Sequence, residues 1–127
     1  MFNVLIVNDD IAIRKAMQSL LEVIGFNVLV AENKEQCIMQ AKVASPDLIL
    51  LDIMLPKLNV GEVLKVFKED TALVKIPIII MSATEPSSSE LLKFKSDANI
   101  IAMIQKPFNL DKLMIILRTE IAHFKTD

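Results

Sequence analysis

The sequence predicts an α/β fold in which helices cover both faces of one open, doubly wound, parallel sheet. Short runs of consecutive apolar residues alternate along the chain with longer segments whose apolar residues recur at helical spacing. The short runs are apolar at nearly every position, which is typical of parallel strands buried on both faces. The 127 residues contain no linker and no repeat, so we expect one domain over residues 1–127. Right-handed crossovers then place helices on both sides of the sheet and give three layers.

The first half of the chain supplies three strands and two helices. The predicted strands are Val4–Val7, Asn27–Ala31 and Leu48–Leu51. Asp10 is a favoured helix N-cap, and the apolar stripe that follows it ends at Gly25, a natural C-terminal residue. Asn33, with Gln36 three residues later, opens a second helix that runs to Ala44.

The second half continues the same alternation. Its predicted elements are a helix over Asn59–Glu69, a strand over Ile76–Met81, a helix from Ser87 to about Lys95, a strand over Ile100–Ile104 and a last helix from Asn109 to Phe124. Ser87 and Glu90 have the spacing of a capping box, and Asn109 stands at the N-cap of the last helix. The complete pattern is therefore five strand–helix units.

Composition excludes several classes of protein. Fourteen basic and sixteen acidic residues leave a net charge of −2, which argues against binding nucleic acid or an anionic membrane through bulk charge. No apolar run reaches the roughly 18 residues of a membrane span, and the single cysteine suits a reducing compartment, so we expect a cytoplasmic protein. The chain has only two glycines, Gly25 and Gly61, so it contains neither the glycine-rich dinucleotide-binding motif nor a P-loop.

Polar residues follow the predicted strands at the points where the strands end. They are Asn8, Asp9 and Asp10 after the first strand, Asp52 after the third, Ser82 after the fourth and Lys106 after the fifth. Ligands of open α/β sheets bind at the carboxyl ends of the strands. Each of these residues taken singly fits a cap or a loop residue, and Asp10 is better explained as an N-cap. The coincidence at four strand ends predicts a functional site.

The residue types at this edge indicate phosphoryl transfer. Asp9 and Asp52 would repel each other if the first and third strands are neighbours, and a divalent cation relieves that repulsion. Mg²⁺ favours oxygen ligands and often uses only one or two carboxylates. With the Lys106 ammonium and the Ser82 hydroxyl, the set can neutralise the oxygens of a phosphoryl group, and a carboxylate can itself be the nucleophile.

Four motifs in this order resemble the receiver domain of two-component response regulators. They are Asn8-Asp9-Asp10, Leu51-Asp52-Ile53-Met54-Leu55-Pro56, Met81-Ser82-Ala83 and Lys106-Pro107-Phe108. The resemblance extends from about Phe2 to Phe124. It implies a flavodoxin-like (βα)5 fold with strand order 2-1-3-4-5.

The resemblance implies a phosphoacceptor and a magnesium site. Asp52 matches the phosphoacceptor. Asp9 matches the acidic residue that binds Mg²⁺ directly, together with Asp52 and the backbone carbonyl of Met54. Asn8 stands at a position that usually acts through a metal-bound water.

The resemblance also implies a conformational switch. The Ser82 hydroxyl is expected to bond the phosphoryl group, and Lys106 to pair with its oxygens, with a cis peptide bond before Pro107. Met103 stands where the family usually carries a Tyr or Phe that moves with Ser82. Methionine specifies a rotamer poorly, so we expect looser coupling between the site and the output face.

Two further departures concern the metal and its loop. Asn8 replaces the commoner Asp or Glu, which leaves one negative charge fewer, so we expect weaker Mg²⁺ binding and not its loss. Val60 occupies the position of the usual glycine, and Gly61 follows one residue later. The loop after the third strand is therefore expected to differ slightly.

The implied partners are proteins. Such domains take a phosphoryl group from a phosphohistidine on a sensor histidine kinase or a histidine phosphotransfer protein, and they catalyse only their own phosphotransfer and dephosphorylation. Only Lys125-Thr126-Asp127 follow the last helix, so we expect a stand-alone receiver without an output domain. A downstream protein would dock on the face formed by the predicted helix at Ser87–Lys95, the fifth strand and the last helix. A homodimer through that face and a relay role are alternatives.

Other functions remain open at this point. Asn8 and Met103 favour a phosphorylation-independent adaptor on a receiver scaffold, whereas the intact Asp9, Asp52 and Lys106 argue against it. A metal-dependent phosphatase would need a second acid where Met54 stands. A flavin carrier would need a phosphate-binding loop where the acidic residues follow the first strand.

Overall fold

The computed structural model describes residues 2–52, 60–82, 100–106 and 110–125, and these form the predicted α/β fold. Five parallel strands, in the order β2-β1-β3-β4-β5, make one sheet. The strands are β1 Asn3–Val7, β2 Asn27–Ala31, β3 Leu48–Asp52, β4 Ile78–Ser82 and β5 Ile100–Gln105. The described helices are α1 Ile11–Ile24, α2 Lys34–Ala44, α3 Val60–Glu69 and α4 Leu110–Lys125. The fold class and the strand order are confirmed, while the helix predicted at Ser87–Lys95 lies outside the described residues.

The sheet is buried on both faces, which explains why its strands are apolar at consecutive positions. All five residues of β3 and all five of β4 are buried. One face packs against Cys37 and Ala41 of α2 and against Val63 and Phe67 of α3. The opposite face packs against Leu21, Leu113 and Leu117, which belong to α1 and α4. Alternate side chains of β1 to β4 enter opposite clusters, as the pleat of a β-strand requires.

Two helices begin at the predicted caps. The Asp10 carboxylate accepts hydrogen bonds from the backbone N–H groups of Ala12 and Ile13, at 2.9 and 3.2 Å. The Asn33 side chain accepts from the N–H of Gln36 at 2.8 Å. The Gln36 side chain in turn accepts from Glu32, so the reciprocal bond of this capping box goes to the residue before the cap.

The apolar stripe predicted for α1 is only partly buried. Leu21 is inaccessible to solvent, whereas Ile13 and Leu20 are each 36% exposed. The reason is helical geometry, because positions 13 and 20 lie about 80–100° around the axis from position 21. The stripe is wider than the surface that α1 places against the sheet. Among the described helices, none is both long enough and apolar enough to cross a lipid bilayer.

A bulge in β5 positions the last strand end. Ile78 pairs with Ile100, but Ile79 pairs with Ala102, so Ile101 is an extra residue opposite β4. Ile101 and Ala102 both pack against the cluster under α1 and α4, and the next residue, Met103, packs against the other cluster. The bulge therefore brings Met103 to the sheet face of Ile80, its partner in β4.

Candidate functional site

The predicted site residues lie together at the carboxyl edge of the sheet. Val7 of β1 pairs with Leu51 of β3, so the next residues, Asn8 and Asp52, are neighbours. Ser82 ends β4 beside Gln105. The backbone N–H of Lys106 donates to the Ser82 carbonyl at 2.7 Å, which fixes the start of the lysine side chain at the same edge.

Asp52 is the centre of this arrangement. The residue is 1% exposed, and both of its carboxylate oxygens have partners. Oδ1 forms an ion pair with Nζ of Lys106, and Oδ2 accepts a hydrogen bond from Nδ2 of Asn8. A buried carboxylate needs such partners, because its desolvation is costly when no donor or cation is near.

Burial raises the pKa of Asp52 above its ordinary value. The Lys106 ammonium opposes this shift by its hydrogen bond and its charge, whereas the negative charges of Asp9 and Asp10 add to it. Negative charge thus accumulates around a carboxylate that has little access to water. A cation bound at this edge would stabilise the ionised form of Asp52.

Ser82 and Met103 lie on one face of the sheet, on the adjacent strands β4 and β5. Ser82 is 4% exposed, and Met103 is half-buried against the cluster that includes Ile80 and Val63. Their assignment to a switch stays a prediction. The Met54 carbonyl and the peptide bond before Pro107 lie outside the described residues.

The described donors fit a magnesium ion that keeps several waters. Asp9 is half-buried at the same edge, and its charge acts on Asp52. In the described part of the chain, no three His, Cys, Asp or Glu side chains group closely enough to hold a metal by themselves. One or two carboxylates with water is the coordination that Mg²⁺ commonly has in proteins, so the residues present fit this ion.

Arg14 supports the site and was missed by the sequence reasoning. Its guanidinium donates to the backbone carbonyl of Asn8 at 2.7 Å and lies 3.5 Å from the carboxylate of Glu32. It therefore ties the loop after β1 to the end of β2. A basic residue in the first turn of a helix that follows an acidic loop was the available signal, but it does not identify a backbone carbonyl as the partner.

The remaining residues singled out in the sequence have structural roles. Asp10 caps α1 through its side chain. Cys37 is fully buried, and burial raises the pKa of its thiol to about 12. Asp10 also acts on the Asp52 carboxylate through its charge, whereas Cys37 packs in the core beneath α2.

A buried aspartate paired with a lysine thus lies at the carboxyl edge of a five-stranded sheet of this order. The sequence profile of the response regulator receiver domain matches residues 4–118. The chain belongs to this family.

Curated relatives are regulators of about twice this length. The chain is 34% identical over 118 residues to the KDP operon transcriptional regulatory protein KdpE of Escherichia coli, covering 93% of this chain and 50% of that protein. It is 33% identical over 121 residues to the probable transcriptional regulator ycf29 of Pyropia yezoensis, covering 95% of this chain and 54% of that protein. The chain thus spans about half the length of the curated relatives it matches.

Solved structures of similar length have the same fold. A CheY-like response regulator receiver domain protein from Methanospirillum hungatei superposes with a TM-score of 0.85 at 26% identity, covering 99% of this chain and 98% of that one. The chemotaxis response regulator CheY4 of Vibrio cholerae gives a TM-score of 0.79 at 26% identity, covering 94% and 98%. These similarities agree with the strand order and with the family.

Proposed function

We propose that Asp52 accepts a phosphoryl group from a phosphohistidine on a sensor histidine kinase or a histidine phosphotransfer protein, with Mg²⁺ bound beside it. The observation that carries the proposal is the Asp52 carboxylate itself, which is buried at the strand edge and ion-paired with Lys106. Burial is the main cause of the raised pKa of Asp52, and the negative charges of Asp9 and Asp10 add to it, so a cation bound at this edge would favour the ionised form that acts as the nucleophile.

In the proposed reaction, a carboxylate oxygen of Asp52 attacks phosphorus in line with the bond to the donor's imidazole nitrogen. A P–O bond forms, the P–N bond breaks, and the histidine leaves as neutral imidazole after taking up a proton. The Lys106 ammonium, which pairs with Oδ1 before the reaction, follows the negative charge and pairs with the phosphoryl oxygens. The Ser82 hydroxyl, at the end of the neighbouring strand, donates to one of them.

Asp9 and Asp52 would hold the metal, with the Met54 carbonyl and a water on Asn8 as further ligands that the family pattern implies. A bound Mg²⁺ neutralises negative charge on the phosphoryl oxygens. The protein's own contribution is to hold one carboxylate in the loop after β1 and the other at the end of the adjacent strand β3, and to limit the access of water to Asp52. Hydrolysis of the acyl phosphate by the domain itself belongs to the same proposal.

The output is proposed to be a population shift read by a partner protein. Ser82 and Met103 lie on one face of adjacent strands, so a movement of the Ser82 hydroxyl toward the phosphoryl group opens space that the methionine can enter. A cytoplasmic role without nucleic-acid binding by this domain stays part of this proposal. The relatives named as transcriptional regulators are longer proteins, and the activity in their names is not assigned to this chain.

The test is the intact mass of the protein after incubation with Mg²⁺ and acetyl phosphate or phosphoramidate. We expect a gain of one phosphoryl group, lost in Asp52→Asn and abolished by EDTA. Asp10→Asn is the matched control, because it removes the same charge next to Asp9 and keeps a favoured N-cap residue. Unchanged incorporation in Asp52→Asn would overturn the proposal.

One observation favours an adaptor that acts without phosphorylation. Asn8 and Lys106 already provide partners for both oxygens of Asp52, so this carboxylate is paired without a metal. If the protein is an adaptor of this kind, wild type and Asp52→Asn should bind the partner protein equally well. Mg²⁺ should then give no gain in thermal stability.

A further inference from the structure

Four hydrogen bonds hold Asn8 in place. Its backbone N–H donates to the Ala31 carbonyl at 3.0 Å, and its carbonyl accepts from Arg14 at 2.7 Å. Its side-chain oxygen accepts from the N–H of Asp10 at 2.7 Å, and its side-chain nitrogen donates to Oδ2 of Asp52. With the residue 1% exposed, water cannot readily replace any of these partners.

This network fixes which end of the Asn8 amide faces Asp52. A backbone N–H can only donate, so the side-chain atom that faces Asp10 must be the oxygen. The amide nitrogen consequently faces Asp52. A flipped amide would place the Asn8 NH₂ group against the N–H of Asp10 and the Asn8 oxygen against the Asp52 carboxylate. Both contacts are repulsive, and they would replace two hydrogen bonds.

The orientation matters for a cation, because the atom that faces the acceptor carboxylate is a hydrogen-bond donor. An N–H group does not bind a cation and does not accept a hydrogen bond from a cation-bound water. The Asn8 oxygen, which has the required lone pairs, is engaged by Asp10. A carboxylate at position 8 would instead repel Asp52, and a cation would relieve that repulsion.

We propose that the Asn8 amide and a divalent cation are competing partners for Oδ2 of Asp52. Without metal, Asn8 holds the acceptor carboxylate in a fixed orientation and stabilises the fold. Lys106 already pairs with Oδ1, so a cation would take Oδ2 and share that oxygen with the amide, and Asn8 thereby lowers the affinity for Mg²⁺. This inference rests on the proposed magnesium site, and it differs from the water-mediated role that the family pattern implies for Asn8.

Asn8→Ala separates the two roles, because they predict opposite changes. If Asn8 orients a metal-bound water, its loss weakens Mg²⁺ binding. If Asn8 competes with the metal, its loss tightens binding, and we expect the Mg²⁺ dissociation constant measured by titration calorimetry to fall at least threefold. We also expect a lower Tm in EDTA and a larger gain in Tm on adding Mg²⁺ than wild type has.

Asn8→Asp adds the repulsion that the amide removes. We expect a Mg²⁺ dissociation constant at least tenfold lower than that of wild type and a further drop of Tm in EDTA. Asn27→Asp is the matched control, because it makes the same change at an exposed residue that begins β2, at the opposite edge of the sheet. Its Mg²⁺ affinity should equal that of wild type, and a tenfold gain there would assign the effect to net charge and overturn the proposal.

Failure of the proposed competition and failure of the proposed function give different results. Weaker Mg²⁺ binding by Asn8→Ala, an unchanged dissociation constant in both Asn8 variants, or no Mg²⁺ binding by any of the three proteins would each overturn the competition. Phosphoryl incorporation is measured separately by mass. If wild type incorporates the phosphoryl group only with Mg²⁺, and Asn8→Ala has the wild-type Mg²⁺ dissociation constant, the proposed function is retained and the role of Asn8 is rejected.

Discussion

Lys106 reaches across the end of β4 to pair with Asp52, because the strand before the lysine and the strand that carries the aspartate are separated by one strand in the sheet. The lysine side chain stays 23% exposed, whereas the aspartate side chain is inaccessible to solvent. The ammonium can therefore move toward a group that arrives from solvent, while the carboxylate is held at its strand end.

Removal of the ammonium should destabilise the protein through Asp52. Lys106 lowers the pKa of Asp52 against the effect of burial, so Lys106→Met leaves a buried carboxylate without its cation. We expect a loss of stability that is largely absent when Asp52 is already Asn. Denaturant unfolding of the two single variants and the double variant should give a coupling energy of roughly 0.5–3 kcal/mol.

Lys15→Met is the control for that cycle. Lys15 is exposed on α1, and its loss changes the net charge equally, with an effect expected within about 0.5 kcal/mol. Strictly additive effects of Lys106→Met and Asp52→Asn would contradict the pairing.

Asp52→Asn should change how stability depends on pH. Because burial raises the pKa of Asp52, the folded protein keeps a proton that the unfolded chain has lost between the ordinary and the raised value. The free energy of unfolding of wild type therefore falls as pH rises through this window. Asp52→Asn has no titrating group at this position and lacks this loss, so its stability relative to wild type should rise with pH through the same window. Urea unfolding at a series of pH values from about 4 to 7 measures this difference, and parallel pH profiles would contradict it.

Arg14 should matter through the Asn8 carbonyl and not through Glu32. Arg14→Met keeps the apolar stem but removes the donor to a buried carbonyl, at an expected cost of about 1.5–3 kcal/mol. Glu32→Gln, at a half-exposed carboxylate, should cost less than about 1 kcal/mol. Equal costs for the two variants, measured by denaturant unfolding, would show that the ion pair is the important contact.

Cys37 should be chemically inert in the folded protein. Its thiol is fully buried, and burial raises its pKa to about 12, so almost no thiolate exists near neutral pH. Labelling by Ellman's reagent should then follow unfolding of the protein, and it should be at least ~10³-fold slower than labelling in guanidinium. Native labelling within tenfold of the unfolded rate would contradict the packing of α2 on the sheet.

The sequence predicts elements well where its pattern is local. The doubly buried strands, the Asp10 cap and the site edge all follow from residue types at regular spacing, because the pleat and the helix repeat are fixed by the backbone. The bulge at Ile101 does not follow, since it depends on which residue of β5 pairs with Ile79. The contacts of Asn8 and Arg14 were also missed, because the choice between water, metal and a backbone carbonyl depends on side-chain directions in three dimensions.

We expect Asp52, and no other carboxylate at this edge, to receive the phosphoryl group. Borohydride reduces an aspartyl phosphate to homoserine, so reduction after incubation with acetyl phosphate and Mg²⁺, followed by peptide mass analysis, identifies the acceptor. We expect homoserine at position 52 and unmodified aspartate at positions 9 and 10. Homoserine at position 9 or 10, or at none of the three, would show that Asp52 is not the phosphoacceptor.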